Sequence, residues 1–324
     1  MAGIQQNATG ANLDFLKILV QNKQAMTIQQ AKIYGKSELT SSPTPELDTA
    51  VLLQHITGFD KTHLLLNRDY ELNAEQNAEF LTAIEKRKIG LPVAYITGHK
   101  EFFGMDFYVT PDVLIPKPDT ELLVELALDA LEDKFRAKPD AIPTVCDMCT
   151  GSGCVGISVA KAFSDKNPEN LPKFTLVDIS EKALAVARKN AGRLISQKEM
   201  PHFIQSNLFE NVLPTFDMIV TNPPYVPHSE SVELLKDGRS EPLLALDGDV
   251  NEVGEASGTN DGLALIRRLV PQCYAHLNRN GGLIMETGEY NAEEAAELFK
   301  QAGFRNVKIE YDMNEMMRDV VGVK

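Results

Sequence analysis

The stretch Ile219–Val226 reads IVTNPPYV. A run of strand-forming residues ends in an asparagine, two prolines and a tyrosine. Two successive prolines continue neither a strand ladder nor a helix interior, and Pro223 drives Asn222 toward an extended backbone. The asparagine oxygen accepts hydrogen bonds, and the prolines offer carbonyls without N–H donors. Asn222, Pro223, Pro224 and Tyr225 therefore form a stiff, acceptor-rich rim that could hold a planar NH2 group by both hydrogens, with Tyr225 as a flat face beside it. An amide or aryl amine nitrogen is a poor nucleophile because its lone pair is delocalised. Gripping both N–H bonds aims the nitrogen face at an electrophile, and the grip strengthens as the new bond forms.

Upstream, VCDMCTGSGCVGISVA places Gly151, Gly153 and Gly156 in GxGxxG spacing after a candidate strand. Such glycines let the backbone turn sharply and approach a nucleotide. The next candidate strand, FTLVD, ends in Asp178, whose carboxylate could accept both hydroxyls of a ribose. Two cofactors suit this pattern. NAD needs its pyrophosphate on a helix N-terminus, whereas S-adenosylmethionine carries an amine that favours an acceptor such as Asp147. The glycine loop leaves both open, and the NPPY rim favours the second. A sulfonium methyl is a strong electrophile, so alignment and proximity supply much of the rate, without a metal or a covalent nucleophile. No hydride-transfer acid or base is evident, which weighs against a dehydrogenase.

The elements that must position these residues follow from periodicity. PELDTAVLLQHITG predicts a helix opening at Pro45, turning Leu47, Val51, Leu52 and Ile56 to one side and stopping at Gly58. NAEQNAEFLTAIEKRK predicts a second, capped by Asn73, with Phe80, Leu81 and Ile84 inward. Residues 1–11 read as frayed, and 1–90 as a helical domain. Residues 91–116 read as a connector containing a short hairpin, EFF against DFYV around Gly104. From 117 to 324, strands and helices alternate. A helical stripe carries Leu122, Leu123, Leu126, Ala127, Ala130 and Leu131. The strands TVCDM, FTLVD, HFIQS, FDMIVT and GGLIMET precede a closing pair, NVKIE and DVVGV. That order predicts an α/β fold with a mostly parallel, doubly wound sheet and a late antiparallel element. The polar, glycine-rich stretch Asp247–Gly262 reads as a mobile surface loop.

Composition narrows the function classes. A net charge of −14 on 324 residues gives no global attraction to nucleic acid or anionic membrane. The basic run EKRKIG reads as a solvated helix end. There is no signal peptide and no apolar run long enough to span a bilayer. Cys146, Cys149 and Cys154 lack a second ligand pair and read as small residues around a strand and its turn, so no metal is expected.

The order of PVAYITGHKEFFGMDFYVTPDVLIPKPDTE, DMCTGSG, VDIS, SNLFE, TNPPYV and SEPLLALDG resembles the HemK family of S-adenosylmethionine-dependent protein N5-glutamine methyltransferases, over nearly the whole chain. The resemblance implies a class I, Rossmann-like methyltransferase fold with a seven-stranded sheet, plus a small helical domain that helps dock a protein substrate. It implies that Thr150, Gly151, Ser152 and Gly153 line the methionine end of the cofactor, with Asp147 near its amine. Asp178 would hold the ribose, and Asn207 and Leu208 would meet the adenine. Asn222, beside the cofactor, and the Pro223 carbonyl would bind a glutamine amide, in a pocket shaped by Pro224 and Tyr225 and bordered by Phe102 and Glu241.

Three residues depart from the family pattern. Lys117 stands for a usual Arg and loses the planar fork; Asn207 stands for a usual Asp; Cys149 stands for a common Gly. DMCTGSGC is similar to the branch acting on a large-subunit ribosomal protein. IPKPDTE and the helical region are more similar to the branch that methylates the GGQ glutamine of peptide chain release factors, which is the expected substrate class. The product would be S-adenosylhomocysteine, the location cytoplasmic and the state monomeric. An adenine-N6 methyltransferase would use the same rim but needs a basic face and a base-flipping cleft. A binding module without catalysis is disfavoured by the intact NPPY.

Overall fold

The computed structural model describes residues 25–137, 141–169, 171–236, 241–251 and 255–324. The frayed segment expected at 1–11 lies outside them. The chain divides into two compact units, one running to Gly98 and the other comprising His99–Lys236 and Glu241–Lys324.

The first unit is helical: α1 (Ile28–Glu38), α2 (Pro45–Thr57), α3 (Lys61–Leu66), α4 (Ala74–Lys88) and α5 (Val93–Thr97). Local chemistry sets the boundaries. Thr27 with Gln30, and Asn73 with Gln76, form reciprocal capping boxes that satisfy the first orphan N–H groups of α1 and α4. Pro45 opens α2 and Gly58, left-handed at φ 70°, closes it. The inward face of α2 differs from expectation. Leu47 is 60% exposed, while Leu52, Leu53, Asp48 and Thr49 are buried. Polar satisfaction decides this. Asp48 accepts from Ser42 Oγ at 2.7 Å and Arg87 Nε at 2.6 Å, so its carboxylate is paired on burial. Arg87 is therefore a structural cation and not a solvated helix end.

In the second unit, β1 (His99–Phe102) and β2 (Met105–Tyr108) pair antiparallel about Phe103 and Gly104, both at positive φ. A 3-10 turn, Pro118–Thr120, leads into α6 (Glu121–Ala137). There follow β3 (Thr144–Met148), α7 (Cys154–Lys166), β4 (Lys173–Asp178), α8 (Glu181–Leu194), β5 (His202–Gln205) and β6 (Phe216–Thr221). Then come α9 (His228–Lys236), α10 (Leu243–Leu246), α11 (Ala264–His276), β7 (Leu277–Glu286), α12 (Ala292–Ala302), β8 (Arg305–Tyr311) and β9 (Met317–Val323). Seven strands form one sheet in the order β5-β4-β3-β6-β7-β9-β8, parallel except for β9, which runs antiparallel to both neighbours.

Both faces of the sheet are covered. Cys146 and Met148 of β3, with Ile219 of β6, enter one apolar core; Val145, Met218 and Val220 enter the other. The buried face of α6 takes in Val124 and Leu128 beside Leu123, Ala127 and Leu131, a slight rotation from the expected stripe. The strand order reverses between β3 and β6, which opens a crevice at the carboxyl ends of the central strands. Register sets those ends side by side, with Met148 opposite both Val177 and Thr221. No helix among the described residues is long and apolar enough to cross a membrane.

Candidate active site

A cavity of about 260 Å³ lies at these strand ends. Its wall includes Asp147, Thr150, Gly151, Ser152, Asp178, Asn207, Leu208, Asn222 and Pro224. The side chains come from four different strand ends, so sheet register assembles them.

The glycine loop is built around two carboxylates. Gly153 adopts φ 81° as the N-cap of α7, a conformation that suits a residue without Cβ. Asp147 Oδ2 accepts from Thr150 Oγ1 at 2.6 Å and from Gly156 N at 2.9 Å. A Cβ on Gly156 would lie 2.9 Å from that same oxygen, so only glycine admits the contact. Burial pushes the Asp147 carboxyl up to about 7, against the two hydrogen bonds that favour its charge. Asp178 accepts from Gly151 N at 2.8 Å through Oδ2 and from Ser180 N at 2.9 Å through Oδ1, and burial raises it too. Each oxygen keeps a further lone pair.

This arrangement separates the two cofactor classes. In a pyrophosphate site the N–H groups at the helix N-terminus face the phosphate. Here Asp147 occupies the N-terminus of α7, and Asp178 takes the Gly151 N–H. A phosphate would meet two carboxylates, whereas an ammonium group would meet the acceptor it needs. The residues fit the amino-acid end and ribose of S-adenosylmethionine. Asn207 donates to Glu210 at 2.8 Å, and its Oδ1 accepts from Arg268 Nη2 at 3.4 Å, leaving one lone pair on that oxygen.

At the end of β6, Asn222 Nδ2 donates to Thr120 Oγ1 at 3.1 Å. Pro223 is buried behind it. Tyr225 OH donates to Glu286 Oε1 at 3.1 Å, and burial pushes the phenol well above its ordinary value. The Tyr225 carbonyl accepts from Asn291 Nδ2 at 3.1 Å. The segment is thus held from its side chains and its backbone.

Several expected residues stand off the cavity wall. Phe102 is 1% exposed and packs in the core against Phe107, because the hairpin turns it inward. Glu241 stands behind the wall: both its oxygens accept from Lys117 Nζ at 2.8 Å, and Oε1 also takes Ile115 N at 3.0 Å. The two-point contact that Lys cannot offer as a fork is made by the carboxylate. Gly153 and Tyr225 support the wall from outside it. Cys149 lines the cavity at φ 60°, so this position holds a β-carbon in the left-handed region where glycine is at ease.

The Asp247–Gly262 loop is not a free surface loop at its ends. Asp247 and Asp249 are buried. Gly248 N donates to Val226 O at 2.9 Å, and Gly262 N to Asp249 Oδ2 at 2.7 Å. The two buried carboxylates in this short stretch require internal partners: Asp249 N and His228 Nδ1 meet Asp247, and Thr259 Oγ1 and Gly262 N meet Asp249. Residues that periodicity alone missed include Thr120, Glu286, Leu265 and Arg268, which meet the site only through folding. Among the described residues no three His, Cys, Asp or Glu side chains gather so as to hold a metal ion.

Sheet order, glycine loop and strand-end carboxylates define a class I S-adenosylmethionine-dependent methyltransferase domain, and residues 124–239 match the methyltransferase small domain family. Residues 30–98 match the PrmC N-terminal domain family. The chain is 37% identical over 304 residues to the release factor glutamine methyltransferase of Koribacter versatilis, covering 92% of this chain and 99% of that one. The enzyme of the same name from Burkholderia pseudomallei is 36% identical, covering 86% and 92%. A methyltransferase structure from Pyrococcus furiosus is similar with a TM-score of 0.44 at 16% identity, covering 77% of this chain and 98% of that one. The chain belongs to the release factor glutamine methyltransferase family.

Proposed function

We propose that this protein transfers a methyl group from S-adenosylmethionine to the side-chain amide nitrogen of the glutamine in the GGQ motif of peptide chain release factors. The observation that carries the reading is Asn222, a primary amide at the end of β6, facing the same cavity as the Asp147 and Asp178 carboxylates. Bound there, S-adenosylmethionine supplies an electrophilic methyl carbon on a sulfonium centre. Asp147 would hold its ammonium, Asp178 its ribose hydroxyls, and Asn207 and Leu208 its adenine.

The residues of the chain do the rest by positioning. Asn222 gives its N–H to Thr120, so its Oδ1 is the atom left to accept an N–H from an entering amide. The Pro223 carbonyl would take the second N–H. Both acceptors pull harder as the amide nitrogen gains positive charge, which is where the interaction lowers the barrier. The nitrogen then loses one proton to water. Pro224 and Tyr225 would flank the side chain, and Lys117 with Glu241 would brace the adjoining segment.

The helices before residue 91 are assigned to docking the protein substrate and 91–116 to the connector. The acidic chain, at −14, suits a protein substrate better than a nucleic acid. We place this activity in the cytoplasm, with the chain acting as a monomer.

The test is transfer of a labelled methyl from S-adenosylmethionine to a purified release factor. Incorporation is expected, and replacing the GGQ glutamine by alanine in the substrate should abolish it. Asn222→Ala should lower kcat by about a hundredfold or more while cofactor affinity stays within about twofold. Unchanged incorporation into the substituted release factor would end the target assignment. An equal loss of cofactor affinity would remove Asn222 from the substrate role.

A further inference from the structure

The glycine loop has to keep one shape although its sequence permits many. Gly151 stands at φ 54° and Gly153 at φ 81°, and a residue without Cβ has more conformers to give up when the loop is ordered. Asp147 and Asp178 clamp the loop at Thr150, Gly151 and Gly156. Both carboxylates also face the cavity, so both are committed to its ligand as well. The peptide between Ser152 and Gly153 is held differently. Its N–H donates to Thr150 O at 2.8 Å. Its carbonyl accepts from Asn190 Nδ2 at 2.9 Å.

Asn190 lies on α8, fully buried and behind the cavity wall. Its Nδ2 gives a second hydrogen to Tyr108 O at 2.9 Å, and its Oδ1 accepts from Tyr108 N at 2.8 Å. Two carbonyls and one N–H leave the amide a single orientation. Tyr108 ends β2, so the anchor is a paired strand. The loop also seats closely on the same face of α8. A Cβ on Gly153 would fall 3.2 Å from the Cβ of Ala187, three residues before Asn190.

We propose that Asn190 is a positioning residue for cofactor binding: anchored on both backbone groups of Tyr108, it holds the Ser152 carbonyl and keeps the glycine loop in its binding shape before the cofactor arrives. It acts through the loop and touches no ligand. An amide is required at this position. An aspartate of the same shape turns an oxygen toward two carbonyls and has at most one proton to donate. The effect appears as affinity, because a loop ordered in advance loses less freedom on binding. The inference rests on assigning this loop to S-adenosylmethionine. A wild type that binds none overturns that assignment and the proposal with it, whereas a wild type that binds beside an unaffected variant overturns the role of Asn190 alone.

The test compares wild type, Asn190→Asp and Asn190→Ala, with Val186→Ala as a control that trims a different buried side chain of α8. S-adenosylmethionine affinity is measured by calorimetry, and hydrogen exchange by mass spectrometry follows residues 149–156 in the absence of cofactor. N190D and N190A should each weaken cofactor binding by about tenfold, the scale of one lost buried hydrogen bond. Both should speed exchange of the loop, whose local opening becomes easier. V186A should lower the denaturation midpoint yet keep cofactor affinity within about twofold, with loop exchange as in wild type. A purely structural role for Asn190 would move the midpoint and leave affinity alone, as in that control. Should N190A fail to fold, the isosteric N190D carries the test alone. The proposal is overturned if folded N190D binds cofactor within about twofold of wild type, if its loop exchanges at the wild-type rate, or if V186A loses as much affinity as N190D.

Discussion

Asp147 shows most directly how one side chain serves the fold and the site at opposing cost. It is buried, it holds Thr150 and the first turn of α7, and burial pushes its carboxyl up to about 7. In an unfolded chain the same group loses its proton near the ordinary carboxylate range. Between about pH 4 and 7 the folded state therefore holds a proton that the unfolded state does not, so this residue makes stability fall as pH rises through that window and flat above it. Asp147→Asn keeps an acceptor for Gly156 and removes the buried charge. Its stability relative to wild type should rise from pH 5 to pH 8, by at most about 4 kcal/mol, in denaturant titrations. Cofactor affinity at pH 8 should fall at least about tenfold, because the ammonium loses its counter-charge. A variant that binds cofactor normally would show that Asp147 serves the loop alone.

At the scale of elements, the rim following β6 is held by the segment that returns over it. Gly262 sits at φ 72°, and a Cβ there would fall 2.0 Å from the Tyr225 carbonyl oxygen. Gly248 is equally confined, with a Cβ 2.2 Å from the Gly262 carbonyl. The two glycines let three backbone segments stack where no side chain fits. Gly262→Ala should cost at least about 1–3 kcal/mol from the left-handed backbone alone, read from chemical denaturation, and should displace Tyr225. Its kcat should drop further than its cofactor affinity, since the displaced segment carries the proposed substrate rim and not the glycine loop. Equal loss of both would mean that the loop supports the whole crevice.

For the whole molecule, the proposed cofactor site falls within one of the two compact units. Every residue assigned to the cofactor belongs to the second unit, whose central strands converge on one crevice. A ligand stabilises only the states that bind it, by about 2.7 kcal/mol at a hundredfold excess over Kd. Hydrogen exchange followed by mass spectrometry should therefore show S-adenosylmethionine protecting the strand ends near Asp147, Asp178 and Asn222. The Leu52, Phe80 and Ile84 core of the helical unit should exchange at an unchanged rate. Protection of that core would show the helical unit to be coupled to cofactor binding.

Much of this protein was legible from its amino-acid order because the governing forces are local. A proline pair ends a strand wherever it falls, a capping asparagine starts a helix with its own next turn, and glycine spacing shapes a loop from within. So the seven strands, the Asn73 cap, the Gly58 stop and the glycine loop could be read directly. Tertiary structure alone decided what depends on distant partners. Asn222 meets Thr120 across 102 positions, and Tyr225 meets Glu286 across 61. The inward turn of Phe102, the buried anchors of the Asp247 loop and the outward turn of Leu47 belong to the same group. The polar pairings are set by which atom finds a donor once water is gone, and Phe102 by packing on Phe107 in the apolar core; periodicity along the chain records neither.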